Sequence, residues 1–284
     1  MIDNPIATKK RTRQIQDEYG ACTRKILGQN FIIEPGVVEK ISKAASGDGK
    51  GLMVEIGPGI GALTQFLCED NEQVLAYEID ERFPEILEKE IGSDHLTIVL
   101  KNFLDADLKS DLKEYIDKNE PIRVAGNLPY YITSAVLMKL FESGVPFESI
   151  TVMMQKEAAE RFLVKPGSKE YNAFQVIASY CADIKKIMDV NRNVFWPSPN
   201  VGSVVLRFEM KKNRSVQDEQ AFFDLIRASF VQPRKTLYNN LREHYQDGAR
   251  AAAVIEKAGL NEGVRAQQMD LESFIRLFEA ANES

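Results

Sequence analysis

Histidine is scarce: His95 and His244 are the only two in 284 residues, which argues against a histidine-held metal site or a histidine-based nucleophile relay. Cysteine is scarce as well. Cys22, Cys68 and Cys181 are odd in number and far apart, the pattern of reduced, mostly buried thiols rather than a disulfide framework. No apolar run approaches the ~20 residues of a membrane span. The stretch from Met1 to Tyr19 is polar and basic and lacks the apolar centre of a signal peptide, so a cytoplasmic location away from any membrane is the default expectation. Internal repeats and low-complexity segments are missing too. Positive charge is short overall, with a net charge of −6, so a polyanionic partner has to be met by local basic patches.

What is present is enough chain for one large core and a smaller satellite domain, with ordinary hydrophobic and charged fractions of 44% and 27%. Lys9-Lys10-Arg11-Thr12-Arg13 reads as a solvated, flexible basic arm over residues 1–19. Beyond it, Gly28, Gln29, Asn30 and Phe31 describe a loop that packs Phe31 inward and leaves Gln29 and Asn30 to hydrogen-bond a ligand, or Asn30 to cap the next segment. Glu34 to Ala45 has helical periodicity, with Val37, Val38 and Ile41 on one face.

A cofactor signature comes next. Leu52 to Ile56 reads as a buried strand, Gly57-Pro58-Gly59-Ile60-Gly61 as a tight turn, Ala62 to Glu69 as a helix, and Gln73 to Tyr77 as a second strand ending in Glu78. An acid about 20 residues beyond the first glycine of such a unit binds a ribose through its hydroxyls. Because the spacing is Gly-x-Gly-x-Gly rather than Gly-x-Gly-x-x-Gly, a nucleoside without a pyrophosphate is favoured over a dinucleotide. Glu55, just before the glycines, either orients the turn or meets a positively charged ligand group. A third strand, His95 to Leu100, leads to Asn102, which can contact an adenine amine or simply serve a loop.

The stretch Ala125-Gly126-Asn127-Leu128-Pro129-Tyr130-Tyr131-Ile132 comes after a short apolar run from Ile122. A strand ending this way puts the Asn127 side chain and the Leu128 carbonyl at its C-terminal edge, where open α/β sheets hold ligands. Pro129 fixes its own φ and pushes Leu128 towards an extended conformation, so the carbonyl direction is set in advance. Two acceptors then face one pocket, and Tyr130 offers a face on which a base can stack. In isolation the same residues describe a polar turn with a buried tyrosine.

Acidic residues crowd the helices of this half, so an RNA face has to lie elsewhere. After a strand at Ile150 to Met154, the basic residues Lys156, Arg161, Lys165 and Lys169 gather around a Pro-Gly loop, and Arg207, Lys211, Lys212 and Arg214 near the end of the sheet. From Gln217 onward the pattern is helical and carries Arg234 and Lys235; such a bundle is either an RNA-binding element or a brace.

In their order along the chain, these pieces resemble the ribosomal small-subunit RNA adenine dimethyltransferase family (KsgA/RsmA). The resemblance is carried by Leu27 to Phe31, Val54 to Thr64, Glu78-Ile79-Asp80, Asn127-Leu128-Pro129-Tyr130, Gln155-Lys156-Glu157, Arg161, Pro166 to Lys169, Phe195-Trp196-Pro197-Ser198-Pro199-Asn200-Val201, Arg234 to Leu237 and Arg265-Ala266. It implies an α/β fold: a Rossmann-like S-adenosylmethionine-dependent methyltransferase sheet over residues 20–212, with a small all-helical domain over 213–284. It also implies methyl transfer to N6 of two adjacent adenosines near the 3′ end of small-subunit rRNA, dimethylating each, by a monomer that acts on the small ribosomal subunit and needs no metal. By the same resemblance Asn30, Ile32, Gly57, Glu78, Asn102 and Asn127 would touch the cofactor, together with Gln29, Glu55, Gly59, Gly61 and Ile79 of the same motifs. Asn127, Leu128, Tyr130 and the stacking aromatic Phe195 would handle the base, with Pro129 fixing the turn. RNA contacts would fall on Lys156, Arg161, Lys165, Lys169, Arg207, Lys211, Arg234 and Lys235.

This chain departs from the family pattern at Asn102, where aspartate is usual, at Gly202, where aspartate is common, and at Pro233, where a basic residue is common. Two alternatives remain open from sequence: a large-subunit rRNA adenine methyltransferase of the antibiotic-resistance type, and a protein that serves mainly in small-subunit assembly.

Overall fold

The structure, a computed structural model, describes residues 2, 4–21, 24, 29–129 and 131–283. Two units are distinguished, Met1–Ala159 with Ile184–Met210, and Glu160–Asp183 with Lys211–Ser284.

In the first unit, α1 (Lys9–Tyr19) is followed by β1 (Phe31–Ile32), α2 (Pro35–Ser46), β2 (Leu52–Ile56), α3 (Thr64–Asp70), β3 (Gln73–Glu78), α4 (Phe83–Glu90) and β4 (Leu96–Leu100). Then come α5 (Leu108–Asp111), α6 (Lys113–Asp117), β5 (Ile122–Asn127), α7 (Thr133–Glu142), β6 (Phe147–Gln155) and α8 (Lys156–Arg161). After α9 (Ala173–Cys181), which belongs to the second unit, the sheet is completed by β7 (Ala182–Val190) and β9 (Ser203–Met210), while β8 (Phe195–Trp196) pairs separately with β1. The seven-stranded sheet has the order β4-β3-β2-β5-β6-β9-β7. Strands β2 to β6 run parallel and β9 is antiparallel to β6. All five residues of β2 are buried, as expected of a central parallel strand covered on both faces.

The reading of residues 1–19 as a flexible arm is corrected. Thr8 caps α1 by accepting from the Arg11 amide at 3.2 Å, and Gly20 ends it in the left-handed conformation. Ile15 is fully buried, in the same core as Ile6, Val38, Phe66, Phe83 and Leu87. Arg11 pairs with Glu90 of α4. A basic sequence concealed an amphipathic helix whose apolar side is only a few residues wide.

The second unit contains α9, α10 (Glu219–Ser229), α11 (Leu237–Tyr245), α12 (Gly248–Lys257) and α13 (Leu271–Asn282). Its core is aromatic: Tyr180 lies edge-on to Phe222 at 4.9 Å, and Phe230 stacks on Phe274 at 5.7 Å. Residues 160–183, assigned by sequence to the sheet domain, group with this unit. The Gly167 amide donates to the Gln267 carbonyl at 2.6 Å, and the Gln267 side chain donates to the Lys169 carbonyl at 3.0 Å. These bonds tie the Pro-Gly loop to a segment about a hundred residues downstream, a pairing that no local pattern encodes.

Candidate active site

Strand order reverses between β2 and β5, and a cavity of about 270 Å³ opens at the C-terminal ends of the parallel strands. That is the switch point at which open α/β sheets bind ligands. Four of these strands contribute residues at or just beyond their ends: Glu55 and Gly57 from β2, Glu78 from β3, Asn102 beyond β4 and Asn127 from β5.

The Gly57 amide donates to the Tyr77 carbonyl at 2.9 Å, and its φ is +70°. A Cβ at Gly57 would meet no atom within 4 Å, so the turn leaves room for a ligand to approach the backbone. Gly59 also lines the cavity, and its amide donates to Glu78 Oε2 at 3.0 Å. Gly61 does not line it. A Cβ there would lie 2.9 Å from both Leu87 and Ile91, so this glycine serves the packing of the turn against α4 and is removed from the candidate cofactor contacts.

Glu78 is buried at 3% exposure. Its Oε1 accepts from the Ile79 and Asp80 amides, both at 2.8 Å. With the Gly59 bond, three acceptor positions are filled, and Oε2 keeps one direction for a hydroxyl. Burial raises the Glu78 pKa, against the backbone amides that favour its charged form. Glu55 is more extreme. Its carboxyl is pushed up to about 8 by burial, with the Thr64 hydroxyl opposing the shift and the Glu78 charge adding to it. Glu55 Oε2 has no hydrogen-bond partner among the described residues. An unpartnered buried acceptor bordering a cavity suits a cationic or donor group of a ligand.

Asn127 Nδ2 donates to the Asn30 carbonyl at 3.2 Å. A carbonyl can only accept, so the amide orientation is fixed by chemistry and Oδ1 is the atom turned away. The Leu128 amide donates to the Met153 carbonyl at 3.2 Å, while its own carbonyl accepts from no described residue. The Pro129 carbonyl takes the Ile132 amide at 3.2 Å and the Thr133 hydroxyl at 3.1 Å, which closes the turn into α7. Tyr130 lies outside the described residues. Its neighbour Tyr131, given no role of its own by the sequence, lines the cavity and is 64% exposed. The doubled tyrosine was the signal for it. Phe195 is a correction. It does not line the cavity, is 2% exposed and belongs to the core, so in this conformation its ring faces are covered by packing.

The other expected contacts Gln29, Asn30, Ile32 and Ile79 line the cavity, joined by Lys101 and Phe103, which the sequence did not single out. The Gln29 side chain is engaged, accepting from the Arg24 amide at 2.9 Å and donating to Asp80 at 3.1 Å. Asp80 is lowered to about 2, chiefly by its bonds to Arg82, with burial opposing and Gln29 adding. Asn102 caps the short 3-10 turn Phe103–Asp105, accepting from the Leu104 amide at 3.1 Å and donating to Asp105 at 2.9 Å. The departure from aspartate thereby has a physical reason: a carboxylate at 102 would face that of Asp105, whereas the amide bonds to it.

A family model for ribosomal RNA adenine dimethylases matches residues 21–283. The chain belongs to that family. "Ribosomal RNA small subunit methyltransferase A" of Staphylococcus aureus (strain Newman) is 37% identical over 287 residues, covering 98% of this chain and 97% of the relative. Among solved structures, a dimethyladenosine transferase from Plasmodium falciparum superposes with a TM-score of 0.74 at 24% identity, covering 89% of this chain and 97% of that one. The 23S rRNA methyltransferase ErmE superposes with a TM-score of 0.65 at 25% identity, covering 89% and 100%. This ribosomal RNA adenine dimethylase is thus an S-adenosylmethionine-dependent enzyme. Its cavity fits that cofactor: an open glycine turn, a ribose-ready Glu78 and the unpartnered buried Glu55 oxygen stand together.

The dimethylase's expected RNA contacts divide. In the first unit Lys156 is exposed. Arg207 is not available: its guanidinium donates to the Ala44 carbonyl and lies 3.6 Å from Glu209, with 17% of the side chain exposed. It braces β9 against α2. In the second unit Arg161, Lys165, Lys169, Arg234 and Lys235 are exposed. Lys211 donates to the Ser179 carbonyl at 2.8 Å and lies 3.5 Å from Asp183, so its charge is largely spent within the unit. No helix among the described residues is long and apolar enough to cross a membrane.

Proposed function

We propose that this dimethylase transfers methyl groups to N6 of two adjacent adenosines near the 3′ end of small-subunit rRNA, dimethylating each, and acts as a monomer on the small ribosomal subunit. The observation that carries the reading is the pair of acceptors at the end of β5, Asn127 Oδ1 and the Leu128 carbonyl. The small-subunit name of the 37% identical relative supports that target over the large subunit.

Bound S-adenosylmethionine would supply an already activated methyl group, held by Glu78 at the ribose and by Glu55, Gly57 and Gly59 along the turn. The chain's own task is alignment. Adenine N6 is a weak nucleophile because its lone pair is conjugated with the ring. Accepting its two N–H bonds at Asn127 and Leu128 favours a pyramidal nitrogen with the lone pair directed into the cavity. A base withdrawn from its RNA stack needs a face to rest on, and the exposed Tyr131 ring at the cavity wall offers one in place of Phe195. The reading is tested by label transfer from S-adenosylmethionine to unmethylated small subunits, with fully methylated subunits as control. Incorporation confined to the unmethylated particles is expected, and equal labelling of large subunits would move the target.

A further inference from the structure

Helix α1 carries cations that the fold does not neutralise. Lys9, Lys10 and Arg11 occupy its first turn, which holds no acidic residue, an arrangement the helix dipole disfavours. Arg11 is answered by Glu90. Lys9 and Arg13 instead converge on one aromatic ring, lying 4.8 Å and 4.4 Å from the centroid of Trp196. Among the described residues neither forms an ion pair. Trp196 pairs with Phe31 across the β1–β8 ladder, and Phe31 lines the cavity.

We propose that Lys9 and Arg13, gathered around Trp196, form a phosphate-binding surface for the RNA strand flanking the nucleotide held in the cavity. The proposal rests on the ribosomal RNA reading of that cavity. Indole contact organises the cations of Lys9 and Arg13, but two like charges beside one ring repel each other, and an anion between them relieves that repulsion. An RNA backbone supplies regularly spaced anions. On a chain of net charge −6, uncompensated cations at Trp196, the ladder partner of the cavity-lining Phe31, also place local attraction for a polyanion.

Trp196 is the single tryptophan of the chain, so its emission reports on this surface alone. Titration with a protein-free RNA fragment from the 3′ end of the small-subunit rRNA should change that emission, and added salt should reverse the change. The double variant Lys9→Gln, Arg13→Gln should reduce the slope of log affinity against log salt by about 1.4–1.8, the release expected for two phosphate contacts. The charge-preserving pair Lys9→Arg, Arg13→Lys should keep the wild-type slope. Binding of S-adenosylhomocysteine, measured by calorimetry, should be the same in all three proteins and serves as the folding control. A wild-type slope in the double variant, with Trp196 emission unmoved while RNA binds, overturns the proposal. Failure of wild-type protein to bind the fragment overturns this surface, and failure to label unmethylated small subunits as well removes the ribosomal RNA reading with it.

Discussion

The Asn127 side chain and the Asn30 main chain are joined by a hydrogen bond of 3.2 Å that spans 97 residues of sequence. It sets the direction of the amide before any substrate arrives, because the Asn30 carbonyl admits only the NH2 side of Asn127. The segment leading into β1 therefore orients the residue at the end of β5 through one bond across the cavity lining.

Glu78 holds three backbone amides as well as any ribose hydroxyl. Alanine would strip the turn of its partners, so the cleaner variant is Glu78→Gln, with nearly the same shape. It should weaken S-adenosylhomocysteine binding by about 1.5–3 kcal/mol, the scale of hydrogen bonds to a charged group. Calorimetry measures this directly, and unchanged affinity would remove Glu78 from the site.

Glu55 ionises near 4.5 when unfolded and at about 8 when buried. The folded state therefore binds the extra proton between those values, and the contribution to stability, full below 4.5, is lost as pH rises through 8. Replacing the carboxyl in Glu55→Gln should flatten this dependence, so that the variant gains on the wild type between about pH 5 and about pH 8. Denaturant unfolding at the two pH values decides it; parallel changes in both proteins would mean that Glu55 is ionised in the fold.

Asn102 and Asp105 share a hydrogen bond of 2.9 Å. Restoring the usual acid with Asn102→Asp should oppose two carboxylates and weaken cofactor binding several-fold, on the order of 1 kcal/mol for an exposed pair. Adding Asp105→Asn to that variant should recover the loss. If Asn102→Asp alone binds cofactor more tightly than wild type, the local pairing is not what accounts for the amide.

Arg234 and Lys235 are exposed in the second unit, with Glu243 at 3.4 Å from Lys235. Replacing each with alanine should lower the salt slope of small-subunit binding by about one for every phosphate that the side chain neutralises. The larger change is expected at Arg234, which has no such neighbour among the described residues, and cofactor affinity should be unaffected. A double variant with the wild-type slope would reduce the helical unit to a brace.

The sheet and its ligand edge were legible because they depend on local rules. The run Leu52 to Ile56 is a strand over the same residues as predicted, since an apolar run stopped by a positive-φ glycine admits few other structures. Glu78 and Asn127 fall at the cavity because each ends a strand, and strand ends converge at the switch point. The features that stayed hidden depend on distant neighbours. Strand β7 holds Asp183, Lys185, Lys186 and Asp189 and is largely exposed, so its composition resembles a loop and only pairing in the sheet makes it a strand. Gly61 and Gly59 look alike in sequence, yet one meets α4 and the other the cavity. Arg207 resembles a phosphate ligand in sequence, yet its guanidinium is turned to Ala44 and Glu209.

The measurement closest to the central claim is the methyl-transfer rate of Asn127→Ala at saturating S-adenosylmethionine, with the products separated by nucleoside mass spectrometry. One well-placed polar group is typically worth about 2.7–4 kcal/mol in the transition state, so the rate should fall by ~10²-fold or more with little change in RNA affinity. Monomethyladenosine keeps a single N6–H and can satisfy only one of the two acceptors. With the Leu128 carbonyl left to orient both steps, the ratio of mono- to dimethyladenosine should differ from that of the wild type. A wild-type rate with an unchanged product ratio would contradict the role given to Asn127 and the alignment mechanism built on it.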